Sequence, residues 1–150
     1  MTRAIELAKA GVEESAGGPF GCVVVSEGKI VGEGNNRVTS TNDPTAHAEI
    51  IAIREACKSL NSFQLEGCSI YTSCEPCPMC LGAIYWARPA RVFYACTRDD
   101  AAEIGFDDKF IYDELEKAND SREMVLMNLM RDEALNVFRE WSEKPDKVEY

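Results

Sequence analysis

The sequence of 150 residues predicts a three-layer α/β/α sandwich around a mixed five-stranded sheet, built as one domain. Three observations carry that expectation. The chain opens on a helical stripe followed by a hairpin pattern. Short β-branched runs then alternate with helical periodicities. Apolar residues make up 45% of the chain, yet the longest apolar runs are far too short to span a bilayer. A chain of this length can bury one such core.

The elements follow in order. Ala4, Ile5, Leu7, Ala8 and Val12 fall near one stripe before Gly17 and Gly18, which predicts an amphipathic helix over residues 2 to 15. FGCVVVS, EGK and IVGEGN alternate apolar blocks with a glycine-containing turn, the pattern of a β-hairpin. NRVTSTNDPT reads as polar loop. Asp43 followed by Pro44 reads as an N-cap with proline in the first helical position, and apolar residues at 50, 51, 53 and 56 continue a second helix that starts at the histidine. CSIYTS predicts a short strand, PMCLGAIYWAR a helix ended by Pro89, and RVFYAC another strand. Beyond Cys96 the chain turns acidic, with IGFDDKFIYDELEKA a mixture of loop and short helix. MVLMNL is the expected fifth strand and RDEALNVFREWSEK the last helix, before a polar tail, PDKVEY, that would ordinarily fray.

Charge and cysteine usage narrow the function. Sixteen basic residues against 26 acidic ones give a formal net charge of -10. Affinity for nucleic acid comes largely from basic residues displacing counterions, so a polyphosphate partner is disfavoured and a small, uncharged substrate fits better. The N-terminus carries charge throughout and lacks the apolar core of a signal peptide, so the expected location is the cytoplasm, with no membrane partner. Seven cysteines, an odd count without an export signal, argue for reduced thiols or metal binding.

Chemistry concentrates in two short stretches. His47-Ala48-Glu49 lies near one helix start, and Pro76-Cys77-Pro78-Met79-Cys80 near another. One imidazole and two thiolates give zinc three protein ligands and leave a fourth tetrahedral position open, as a catalytic site does. Cys77 and Cys80 are three apart, so in a first helical turn both sulfurs share a face, and the positive end of the helix favours their thiolate forms. In a helix interior, residues two apart diverge by about 200°, so His47 and Glu49 serve one site only if the helix aims its N-terminal end into the cleft. A non-ligating carboxylate there can take a proton from an activated water and deliver it to a ring nitrogen and a leaving amine, which is hydrolytic deamination of an amidine-like carbon. The competing possibility is a closed structural site with Cys74 as fourth ligand, which would leave Glu49 without a task. Cys22, Cys57, Cys68 and Cys96 lie in apolar patterns and read as small core residues.

From about residue 18 to 108 the chain resembles the cytidine deaminase-like superfamily, and within it the bacterial guanine deaminases. The resemblance lies in GGPFG, NDPTAHAEI, AIREACK, YTSCEPCPMCLGAIYWARP, the AAEIGFDD segment and the C-terminal EY. The H-x-E plus P-C-x-x-C pattern is that of zinc nucleobase deaminases. It implies one Zn2+ per subunit on His47, Cys77 and Cys80, with Glu49 shuttling protons and the Ala48 backbone beside the substrate. It further implies a purine base as substrate, Asn36 on the base edge, Asp108 accepting from ring N–H groups, and Phe20 and Trp86 lining the ring. Its last implication is a homodimer in which the segment from about 119 to 150 is exchanged and Tyr150 closes the partner's site. Guanosine deaminases and tRNA adenosine deaminases share the same motifs and remain rivals. The -10 charge and the lack of a basic C-terminal helix weigh against the tRNA enzymes. A zinc-stabilised binding module would release no ammonia from any base.

Overall fold

The computed structural model describes residues 1–150. Glu27 and Gly28 both adopt positive φ, 49° and 77°, the backbone that a two-residue hairpin turn requires. That turn joins β1 (Gly21–Ser26) to β2 (Lys29–Asn35) antiparallel, with Ser26 opposite Lys29 and a register shift after Val24. On its other side β1 pairs antiparallel with β3 (Ser69–Cys74), and β3 pairs parallel with β4 (Arg91–Cys96). The sheet is therefore mixed, as expected, and runs β2-β1-β3-β4.

It has four strands, not five. The chain divides into two compact units, residues 1–109 and 110–150, and MVLMNL falls in the second as irregular backbone. A strand needs a neighbour for its N–H and C=O groups, and no other segment of that unit is extended and paired. The apolar composition of MVLMNL signals burial without saying against what. Within this unit run α6 (Lys109–Glu116), which begins at the boundary, and α7 (Arg131–Glu143).

In the first unit, helices cover both faces of the sheet, and glycines set how closely they approach. A Cβ built on Gly21 would lie 2.1 Å from the carbonyl oxygen of Ala4, so α1 (Thr2–Glu13) rests directly on the backbone of β1. On the opposite face, a Cβ on Gly32 would lie 2.3 Å from the Ala52 carbonyl oxygen, and one on Gly34 equally close to that of Ala48. Ala48, Ala52 and Ala56, spaced four apart on α3 (Ala48–Leu60), form the flat stripe that meets these two glycines. The core between sheet and helices consists of these alanines with Cys22, Val24, Leu65, Cys68, Ile70, Ile84 and Ala87, the last two from α4 (Pro78–Ala87). Two short helices, α2 (Val38–Thr41) and α5 (Arg98–Glu103), complete the unit, and α5 carries a capping box between Thr97 and Asp100.

Four local expectations change. The first helix ends at Glu13, and the polar loop contains the single turn of α2. Asp43 does not cap a helix. Its carboxylate accepts hydrogen bonds from the Thr45 N–H (2.8 Å) and hydroxyl (2.7 Å), closing a turn before the chain re-extends at His47. Cys96 is exposed, because β4 is an edge strand whose side chains remain largely uncovered, whereas Cys22 and Cys68 are buried and Cys57 is half-buried against the core. All seven cysteines are free thiols. No helix is long and apolar enough to cross a membrane.

Candidate metal centre and active site

Two helix N-termini meet at one point. His47 is the N-cap of α3, in extended conformation, and Cys77 is the N-cap of α4, also extended, with Pro78 in the first helical turn. Neither side chain caps its own helix, so both project off the helix ends toward each other. Cys80 follows three residues after Cys77 on the same face.

The donor atoms converge accordingly. His47 Nδ1 lies 3.5 Å from Cys77 Sγ and 3.5 Å from Cys80 Sγ, and all three donors fall within 4.8 Å of one another. A tetrahedral zinc ion, with bonds of about 2.3 Å to sulfur and about 2.0 Å to nitrogen, sets a nitrogen–sulfur separation of about 3.5 Å. The His47, Cys77 and Cys80 group therefore fits one zinc ion with a coordination position to spare. Cys74 is not part of the group. Its thiol donates to the Thr97 carbonyl (3.4 Å), which removes the closed four-ligand alternative.

The local charges favour metal uptake. The hydrogen bond from Cys80, reinforced by His47, draws the Cys77 thiol down to about 4. Cys80 is pushed up, first because it donates to Cys77 and then by burial, while the bond to Cys77 raises His47. Metal binding would take both sulfurs as thiolates and release the proton the pair holds.

Glu49 stands beside this group without joining it. It is the second residue of α3 and only 6% exposed. Its Oε1 accepts from Thr72 Oγ1 (3.1 Å), and its Oε2 accepts from Cys80 Sγ (3.4 Å). Burial is the main cause that raises its pKa, and the charge of Cys77 adds to it. Hydrogen bonds from its own backbone N–H, from Cys80 and from Thr72 oppose the rise. A carboxyl tuned upward beside a metal site suits proton transfer near neutral pH.

The remaining predicted residues spread around this centre. Ala48 is fully buried between His47 and Glu49. Asn36 is buried, and its Oδ1 accepts from the N–H groups of Gly18 and Val38, both at 3.2 Å. It therefore acts as a turn residue through its oxygen, and its Nδ2 remains as a donor. Asp108 is half-buried and lies near enough to interact with the charges of His47 and Cys77; burial, then Cys77, raises its pKa. Phe20 packs edge-on against Phe106, with centroids 4.9 Å apart. Trp86 lies on the outward side of α4, 64% exposed, and Tyr150 belongs to the second unit, 70% exposed. Thr72 was not foreseen, because threonine in a strand reads simply as a β-former.

The comparisons agree with this geometry. The profile of the cytidine and deoxycytidylate deaminase zinc-binding region matches residues 1–96. The chain is 55% identical over 150 residues to the guanine deaminase of Bacillus subtilis (strain 168), covering 100% of this chain and 96% of that one. An X-ray structure of guanine deaminase from Bacillus subtilis superposes with a TM-score of 0.96 over 99% of this chain and 95% of that one. The tRNA-specific adenosine deaminase of Aquifex aeolicus (strain VF5) is 46% identical over 77 residues, 51% of each chain. The chain belongs to the zinc-binding cytidine and deoxycytidylate deaminase family.

Proposed function

We propose that this chain is a zinc-dependent guanine deaminase that hydrolyses guanine to xanthine and ammonia. The observation that carries the reading is the buried Glu49 carboxylate set beside the His47, Cys77 and Cys80 donors. This arrangement occurs in a chain 55% identical along its whole length to a guanine deaminase. Zinc held by His47, Cys77 and Cys80 would lower the pKa of a water molecule toward neutrality, so that it can give up a proton. Glu49 accepts that proton as the water oxygen adds to C2 of the base. It delivers that proton to N3, then takes the remaining proton from the new C2 hydroxyl and passes it to the amino group, which leaves as ammonia while the C2 carbonyl forms.

Binding of the base falls to the surrounding residues. The Nδ2 of Asn36 donates to the base edge, while its Oδ1 keeps the Gly18 and Val38 backbone in place. Asp108, ionised, accepts from ring N–H groups, a pairing that guanine provides in its N1–H and imidazole N–H. Phe20 and Trp86 line the ring, and the Ala48 backbone lies beside the leaving group.

The working form we propose is a homodimer of two copies of this chain, with the segment from about 119 to 150 exchanged and Tyr150 closing the partner's site. In its support, the 110–150 unit leaves a run of large apolar side chains uncovered, among them Met124, Met127 and Leu129, with Phe138 on α7. Met127 alone is 86% exposed. In water such a surface is expected to be buried against another chain, and a second copy is the partner that an exchanged segment supplies. We place the enzyme in the cytoplasm on its free thiols.

Glu49→Gln tests the central step. The variant should retain one zinc per chain and release no ammonia from guanine above about a thousandth of the wild-type rate. Full turnover in the variant would refute the role.

A further inference from the structure

Ile70, Thr72 and Cys74 alternate along β3, so their side chains share the face turned toward α3 and α4. The sheet neighbour of Thr72 on β1 is Cys22, and Ile70, Cys22 and Val24 of this face are all fully buried and apolar. Valine would fill the same volume without bringing a hydroxyl into that environment, and a buried hydroxyl is costly unless it is hydrogen-bonded. Thr72, 1% exposed, meets the requirement by donating to Glu49 Oε1 at 3.1 Å. The other carboxylate oxygen, Oε2, is the one directed at Cys80 and hence at the metal-ligand group.

We propose that Thr72 is a positioning residue for Glu49: its hydroxyl holds Oε1 and so presents Oε2 to the reacting atoms. The inference deepens the proposed function and rests on Glu49 being the proton carrier. As the second residue of α3, Glu49 has side-chain torsions that the helix alone does not fix. Cys80 donates to it only as a thiol; as a metal-holding thiolate it has no proton to give. The Thr72 hydroxyl is then the side-chain donor that orients the carboxylate. With Oε1 occupied as an acceptor, the proton that Glu49 takes from water resides on Oε2, from which it can be passed on without rotating the side chain.

The test uses the zinc-loaded full-length chain with Thr72→Val, Thr72→Ser and Glu49→Ala. Thr72→Val should lower kcat on guanine by roughly 10- to 100-fold, the usual effect of removing a group that orients a metal-site residue, with KM within about twofold. Thr72→Ser, which keeps the donor, should recover kcat to within about threefold of wild type. A readout that does not depend on turnover is the thermal midpoint. Thr72→Val should lower it in the wild-type background, yet leave it unchanged or raise it in Glu49→Ala, where the Thr72 hydroxyl has lost its acceptor. Wild-type kcat in Thr72→Val, equal losses in the valine and serine variants, or additive midpoint shifts would each overturn the inference. Should wild-type protein release no ammonia from guanine, the proposed function falls, and the midpoint cycle alone then judges the Thr72–Glu49 coupling.

Discussion

Gly34→Ala adds one methyl group at the contact that sets the height of α3 above the sheet. The new Cβ would stand 2.3 Å from the Ala48 carbonyl oxygen, 2.8 Å from the Ala52 nitrogen and 3.0 Å from the Ile51 Cβ. Carbon–oxygen contacts settle at about 3.3 Å or beyond, so the N-terminal half of α3 must retreat by about 1 Å. Backbone atoms cannot rotate out of the way, and overpacking of this kind costs about 1–3 kcal/mol of stability. The retreat also reaches the site. His47 stands at the N-cap position of this helix and lies 3.5 Å from each sulfur, so the same shift stretches those separations toward about 4.5 Å, past what one tetrahedral zinc ion spans. Glu49 moves with it, and a misplacement of about 1 Å near the chemistry costs on the order of 100-fold in rate. Urea denaturation, zinc content under a competing chelator and ammonia release from guanine measure the three effects. Gly82→Ala is the control: nothing lies within 4 Å of its Cβ, so alanine there should leave zinc unchanged and stabilise α4 by about 0.5–1 kcal/mol. A Gly34→Ala protein with wild-type stability, zinc content and turnover would refute the idea that this close approach positions the site.

Other outcomes follow from the same structure. Cys77→Ser should lose bound zinc, whereas Cys74→Ser, whose thiol donates to the Thr97 carbonyl and lies outside the ligand group, should keep both zinc and activity by metal analysis and turnover. Deleting residues 148–150 should abolish turnover while leaving zinc bound, and analytical ultracentrifugation of the intact chain should give a dimer; full turnover in the truncated chain would count against the exchanged tail. Both guanidinium nitrogens Nε and Nη2 of Arg3 grip the Glu33 carboxylate at 2.8 Å, which holds the Glu33 pKa below its ordinary value. Stability from that pair is therefore fully present above the unfolded carboxylate value of about 4.3 and is lost as pH falls through the lowered folded value. Arg3→Gln should be less stable than wild type at pH 7, with the gap closing below about pH 4 in denaturation curves.

The parts of the molecule that were legible in the sequence are those whose information is local. The hairpin announces itself through EGK between apolar blocks, and β4 matches RVFYAC because a short, aromatic-rich apolar run bounded by proline has few alternatives. The metal-ligand group was legible for a related reason. His47 and Cys77 each occupy the N-cap position of a helix, and a helix start has signals within four residues, such as Pro78 after Cys77. Features that depend on a distant partner were not. Gly32 and Gly34 look like weak points in a strand until Ala48, Ala52 and Ala56 are seen lying on them. Thr72 looks like any strand residue until its hydroxyl meets Glu49, 23 positions away. MVLMNL looks like a strand because apolar content marks burial, whereas strand formation requires a partner edge that its own unit does not provide. Asp43 misled because an Asx turn and a helix N-cap begin with the same residue types, and only the extended backbone at His47 separates them.

Ammonia release tests the central claim most directly. The zinc-loaded chain and its Glu49→Gln variant are incubated separately with guanine, guanosine, adenine, cytosine and a tRNA anticodon stem. Wild-type protein should release ammonia from guanine, and Glu49→Gln should release none. Ammonia from the tRNA stem alone, or none from guanine, would contradict it.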